Sequence, residues 1–135
     1  MKMRIVTDAA PAPMPVFSQA VRKGPLLAVS GQGGADPATG AFSSDVAEQT
    51  WQTLRNLRAI LDAAGSSFED VIMLRVYLTD REHFAEMNRA YASYLEAHVN
   101  DVLPARTTVF VTLPLPQMLV EIDALASIDY ARAGI

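Results

Sequence analysis

The stretch Val71 to Leu78 constrains the fold more than any other part of the chain. It reads V-I-M-L-R-V-Y-L, and a period of two puts Ile72, Leu74, Val76 and Leu78 on one side and Val71, Met73, Arg75 and Tyr77 on the other. Both sides are largely apolar, so the strand needs cover on two faces rather than one. Helices can supply one cover. A single small chain has little left for the second, which points to an oligomer.

Candidate helices flank this strand. Ala47, Trp51, Leu54, Leu57, Leu61 and Ala64 recur at three- and four-residue intervals, with Asp45 and Glu48 placed to cap the start and Gly65 suited to the C′ position. After the strand, Thr79 or Asp80 can cap a second helix whose inner side carries Phe84, Met87, Tyr91, Tyr94, Leu95 and His98. Further strands are expected over Val16 to Arg22 and Leu26 to Ser30, separated by the turn Lys23-Gly24-Pro25. Gly31 to Gly40 is rich in turn residues and is expected to leave regular structure. Ala105 to Leu113 and Leu119 to Ser127 complete the pattern, joined through Pro114-Leu115-Pro116-Gln117, a link short enough to pair them antiparallel. The order is ββαβαββ. It predicts an α+β sandwich, a mixed sheet with two helices on one face, and a second face carrying Met73, Tyr77 and Phe110 that would be left wet in a monomer.

At 135 residues one domain over 1–135 is expected, enough to bury roughly two-thirds of the unfolded surface. The net charge of −4 comes from interspersed acids and bases, which argues against a nucleic-acid partner. With no cysteine, thiolate catalysis, disulfides and cysteine-ligated metals are excluded. No stretch approaches the ~20 apolar residues that span a bilayer, and the N-terminus lacks an apolar signal core, so a cytoplasmic location without membrane contact is expected.

Arg106 is the most informative single residue. It starts a strand and shares its face with Thr108 and Phe110. It either clamps a carboxylate ligand through its bidentate fork or forms an internal ion pair with Glu121 or Asp123. Those two carboxylates share one face of the last strand, and an equal-length hairpin would align them with Arg106. Either one can orient a water and move protons, or both are solvated strand acids. His83 and His98 sit at opposite ends of one expected helix, so a shared metal is not expected. The glycine run Gly31-Gln32-Gly33-Gly34 matches no nucleotide fingerprint, and no serine sits in a G-x-S-x-G elbow.

Taken in order, Phe17-Ser18-Gln19-Ala20, Ser30-Gly31-Gln32, Gln49-Thr50, Asn56-Leu57, Asn88, Tyr91, Pro104-Ala105-Arg106-Thr107 and Val120-Glu121-Ile122-Asp123-Ala124 resemble the Rid (reactive intermediate deaminase, YjgF-like) superfamily from about Ala10 to Ala126. The resemblance implies a chorismate mutase-like fold, a homotrimer with clefts between subunits, and hydrolysis of enamines or imines such as 2-aminoacrylate to 2-keto acids and ammonia, without a cofactor. By position it implies a catalytic pair, Arg106 on the substrate carboxylate and Glu121 beside the hydrolytic water, with Ser30, Gly31 and Asn88 in the pocket. Phe17 and Thr108 also fall at pocket positions, where the family commonly has tyrosine and cysteine. Phe17 lacks the phenolic hydroxyl, which either alters water placement or favours a more apolar substrate. The same fold is compatible with a non-catalytic carboxylate-binding protein or, less readily in so acidic a chain, a ribonuclease or translation inhibitor.

Overall fold

A computed structural model describes residues 1–128. Six strands form one sheet: β1 Lys2–Ile5, β2 Ala20–Lys23, β3 Leu26–Gly33, β4 Val71–Leu78, β5 Ala105–Phe110 and β6 Val120–Ser127. Helix α1 spans Val46–Ala63 between β3 and β4, and α2 spans Phe84–His98 between β4 and β5. The sheet order is β1-β2-β3-β6-β4-β5. Only β4 and β5 pair in parallel, as a strand–helix–strand crossover requires. This is the mixed α+β sheet with two helices on one face that the pattern predicts.

Capping follows the residue chemistry. The Asp45 side chain accepts from the Glu48 N–H at 3.0 Å to open α1. Gly65, at φ 75°, closes α1, with the Ser66 N–H reaching back to the Leu61 carbonyl. Asp80 caps a short 3-10 turn that leads into α2. Leu54, Leu57, Ile60 and Leu61 of α1 and Met87, Tyr94 and Leu95 of α2 then bury against Leu74, Val76, Leu78, Val120 and Ile122.

Several expectations need correction. Ala105–Phe110 and Val120–Ser127 do not pair. Strand β6 inserts between β3 and β4, antiparallel to both, and the segment 111–119 crosses the end of β4. There the Val111 N–H donates to the Leu78 carbonyl at 2.8 Å, and the Thr79 N–H donates to the Leu119 carbonyl at 3.2 Å. A short proline-containing link was compatible with a hairpin; closing both sides of β4 satisfies more backbone. Phe110 therefore lies level with Leu78 on the helix face, against Phe84 with ring centroids 6.3 Å apart, and not on the open face.

The alternation within β4 also slips. Val71 is buried while Ile72 is 50% exposed, because a register shift between Val71 and Met73 turns the first residues over. From Met73 onward the expected faces hold. The strand expected at Val16 to Arg22 starts only at Ala20, after a turn in which the Phe17 N–H donates to the Met14 carbonyl. Gly31 to Gly33 stay in β3, past an irregularity between Val29 and Gln32, instead of leaving the sheet. Lys2–Ile5 adds an edge strand that the hydrophobic pattern did not announce.

Buried amides fix the loops to this frame. Gln49, fully buried, donates to the carbonyls of Ser43 at 2.6 Å and Gln117 at 2.8 Å, and accepts from the Leu119 N–H at 2.9 Å. Asn56 donates to the carbonyls of Gly33 and Ala35, each at 2.9 Å. Gln49→Leu keeps the volume but strands three buried backbone groups, so a stability loss of roughly 2–4 kcal/mol is expected. Thermal and denaturant unfolding measure it, and a change under about 0.5 kcal/mol would show that the amide is dispensable.

Candidate functional site

The expected site residues fall into two groups on opposite faces of the sheet. Arg106 lies level with Leu74, whose side chain is buried under the helices. Its guanidinium carbon sits 4.8 Å from the centroid of the Tyr91 ring and 5.9 Å from that of Phe84. Both rings belong to α2, one on each side of Asn88 at helical spacing, so the three side chains share a helix face. Rings of this kind hold a cation without neutralising it.

Among the described residues, no ion pair involves Arg106. The two ion pairs found are Arg58 with Asp62 and Arg75 with Asp123. The internal-pair alternative is therefore not what the fold builds. Glu121 and Asp123 lie across β4 from β5 and point to the other face. Two further polar atoms on Arg106's side of the sheet are buried with no hydrogen-bond partner: Asn88 Oδ1 and Thr108 Oγ1. Buried polar atoms normally find partners within the fold. An unpaired guanidinium, a carboxamide oxygen and a hydroxyl beside two aromatic rings suit a small anionic ligand with hydrogen-bonding groups.

On the outer face, Glu121 rests against Gly31. A Cβ built on that glycine would stand 2.5 Å from Glu121 Oε2, so the carboxylate occupies space that only glycine leaves free. Burial pushes the Glu121 carboxyl above its usual range, and the nearby Asp123 charge adds to the rise. Gly31 and Phe17 line a cavity of about 290 Å³ whose other walls include Met14, Phe42, Leu115 and Met118. Among the described residues, no charged side chain lines it. Ser30 is committed elsewhere: its hydroxyl donates to the Ser18 carbonyl at 2.6 Å and its N–H to the Gln19 carbonyl at 2.9 Å. It thereby ties the Phe17 loop to β3. Another cavity, about 510 Å³ between residues 34–43 and α1, contains none of the expected site residues.

Sequence reasoning missed the stacking role of Phe84 and the carboxylate clamp around Asp123. Asp123 accepts from Arg75 Nε and from the Tyr77 hydroxyl, each at 2.8 Å. The alternation of Arg75 and Tyr77 along β4 was the available signal; the identity of the strand opposite them was not. Among the described residues, no group of His, Cys, Asp or Glu is placed to hold a metal ion, and no helix is long and apolar enough to cross a membrane.

Because the obstructing atoms at Gly31 are the end of a flexible side chain, Gly31→Ala is expected to cost less than about 1 kcal/mol while displacing the Glu121 carboxylate. A melting curve together with a crystal structure of the variant tests this. A carboxylate left in place would contradict the close-approach reading.

The fold and sequence both have known counterparts. The YjgF gene product of E. coli superposes with a TM-score of 0.87 at 36% identity, covering 93% of this chain and 98% of that one. E. coli TdcF, solved with bound serine, superposes at 0.88 with 34% identity, covering 94% and 99%. A RutC family protein of Pyrococcus horikoshii is 43% identical over 127 residues, covering 93% of this chain and 98% of its own length. The 2-iminobutanoate/2-iminopropanoate deaminase of Salmonella typhimurium is 36% identical over 126 residues, with the same coverage. The endoribonuclease L-PSP family model matches residues 7–128, and the chain belongs to that family, the Rid or YjgF-like superfamily.

Proposed function

We propose that this protein hydrolyses 2-imino acids and their enamine tautomers to 2-keto acids and ammonia. The observation that carries the proposal is the unpaired guanidinium of Arg106, held on the rings of Tyr91 and Phe84 beside the unsatisfied Asn88 and Thr108 oxygens. The deaminase named for the Salmonella relative supports the same reaction class.

Arg106 binds the substrate carboxylate through two parallel N–H···O bonds, which fixes the position of the adjacent imine carbon. Glu121 takes a proton from a water as that water's oxygen bonds to the imine carbon, and passes it to the imine nitrogen, which becomes an amine. Glu121 then takes the proton of the new hydroxyl and gives it to the departing nitrogen. The C–N bond breaks, the carbonyl forms and ammonia leaves. One water is consumed, no electrons change hands, and the reaction as written needs no cofactor. A carboxyl raised above the usual range is better matched to this two-way transfer than an ordinary glutamate.

Arg106 and Glu121 face away from each other within one chain, so one substrate meets both only where two copies come together. The open sheet face offers the surface for this: Leu26, Ile72 and Leu125 are all at least 40% exposed there or at its edge. We take the assembly to be the homotrimer that the family resemblance implies, with a cleft at each junction. The uncharged walls around Phe17 favour substrates with an apolar side chain.

The mutational test separates the clamp from generic charge. Arg106→Lys keeps the cation but loses the fork, and kcat/KM for imines released by an amino acid oxidase is expected to fall at least 100-fold with the oligomer intact; Arg106→Ala should abolish turnover. Near wild-type hydrolysis by Arg106→Ala would overturn the mechanism. Sharing is tested by mixing. Arg106→Ala and Glu121→Gln chains, each inactive alone, should regain part of the wild-type rate when refolded together, and light scattering should give the trimer mass. No recovery in mixed trimers would place both groups in one chain's site.

A further inference from the structure

Two carboxylates stand side by side on the outer face of β6, and the structure treats them differently. Asp123 is engaged at both oxygens, Oδ1 by Arg75 Nε and Oδ2 by the Tyr77 hydroxyl, each at 2.8 Å. Its side chain is 15% exposed. No hydrogen bond from a described residue ends on Glu121, which lies against the bare backbone of Gly31. Tyr77 stands directly across the strand pair from Glu121, and Arg75 directly across from Asp123. The Tyr77 hydroxyl therefore reaches diagonally past Glu121 to Asp123.

We propose that Asp123, clamped by Arg75 and Tyr77, is a positioning residue: a fixed negative charge that keeps its neighbour Glu121 the proton-exchanging carboxyl of the site. The proposal rests on the deaminase reading for the reaction it serves. Its physical basis is the division of labour between the two acids. Swinging Asp123 toward a substrate would break its bonds to a guanidinium and a phenol, whereas Glu121 has nothing to release. A carboxylate two residues along a strand lies about 7 Å away, near enough for its charge to oppose ionisation of Glu121.

Within one chain the groups that face Glu121 are few, and in the shared cleft proposed above Arg106 of a second copy joins them. On its own strand there is Asp123. From β4 come Tyr77 and Arg75, and from β3 only Gly31, Gln32 and Gly33, none of which titrates. Burial and the Asp123 charge act on the Glu121 carboxyl in the same direction, upward. The Tyr77 phenol is itself raised, first by burial and then by its bond to Asp123, so it stays a hydrogen-bond donor across the working range.

Carboxyl carbons of the full-length protein can be titrated by 13C NMR with no substrate present, and the pH dependence of kcat/KM can be followed in parallel. Asp123→Asn is expected to lower the Glu121 midpoint by about half a pH unit, the size Coulomb's law gives for two such charges about 7 Å apart in a largely aqueous dielectric. The acid limb of kcat/KM should move down with it. Arg75→Gln removes a cation and leaves the Asp123 charge less compensated, so it should move both quantities the other way. That side chain is 59% exposed, which keeps the test available if Asp123→Asn does not fold. An unmoved Glu121 midpoint in the variants would overturn the proposal, as would a midpoint that moves while the acid limb stays. Absence of imine hydrolysis by the wild-type protein would instead sink the deaminase reading, and the NMR titration tells the two failures apart.

Discussion

Gln49 sits in the middle of the core and spends its whole amide on backbone. Two of its three bonds go to residues 117 and 119, where the chain has just crossed the end of β4 and is about to become β6. The third goes to Ser43, at the end of the loop that follows β3. One side chain on α1 thus holds together the segments on both sides of the slot that β6 fills. A buried amide with all these partners is specific in a way an apolar side chain is not, since any other placement of β6 would leave donors and acceptors without partners in a low-dielectric interior. The sheet order, and with it the face on which every strand residue appears, follows from this placement.

The insertion of β6 has a chemical consequence. Had β5 and β6 formed a hairpin, Arg106 and the β6 carboxylates could have met and neutralised each other. With β4 between them and the faces opposed, the guanidinium is left on aromatic rings and Glu121 is left on glycine. Each group is kept in a form that costs free energy in isolation: a cation with no counter-ion, and a carboxyl partly removed from water. In the proposed hydrolysis an anionic substrate supplies the missing partner for the first and proton exchange uses the second. Asp123, the other acid on that face, is satisfied locally by Arg75 and Tyr77.

Much of this was legible in the sequence. Helix α1 announced itself through its spacing and its Asp45 cap, and α2 through the stripe that contains Tyr91. The two apolar faces of β4 were read as needing cover on both sides, and Ile72 and Leu125 stand exposed on or beside the open face. Arg106, Glu121, Gly31 and Asn88 were named from residue pattern and resemblance together. What escaped was register and neighbour choice. Periodicity says which residues share a face of one strand, but it cannot say which strand lies alongside, and a single bulge at Ile72 inverts the assignment before it. The hairpin expectation failed for this reason, and with it the aligned salt bridge and the placing of Phe110. Edge strand β1 escaped because Lys2-Met3-Arg4-Ile5 buries little, so no hydrophobic period marks it.

The motif residues also divide by role in a manner the sequence alone does not show. Gln19 exchanges bonds with the backbone of Thr7 and donates to the Pro11 carbonyl. Asn56 holds the carbonyls of Gly33 and Ala35, and Ser30 holds that of Ser18. These side chains fasten loops. They position Phe17 and Gly31 but have already committed their donors to backbone carbonyls. Arg106, Asn88, Thr108 and Glu121 are left with unsatisfied bonding capacity, as are the Tyr94 hydroxyl on α2 and His83 Nδ1 in the turn before it. In a fold that otherwise matches its buried amides so fully, the capacity left over on Arg106, Asn88, Thr108 and Glu121 is the physical ground for the proposed ligand site.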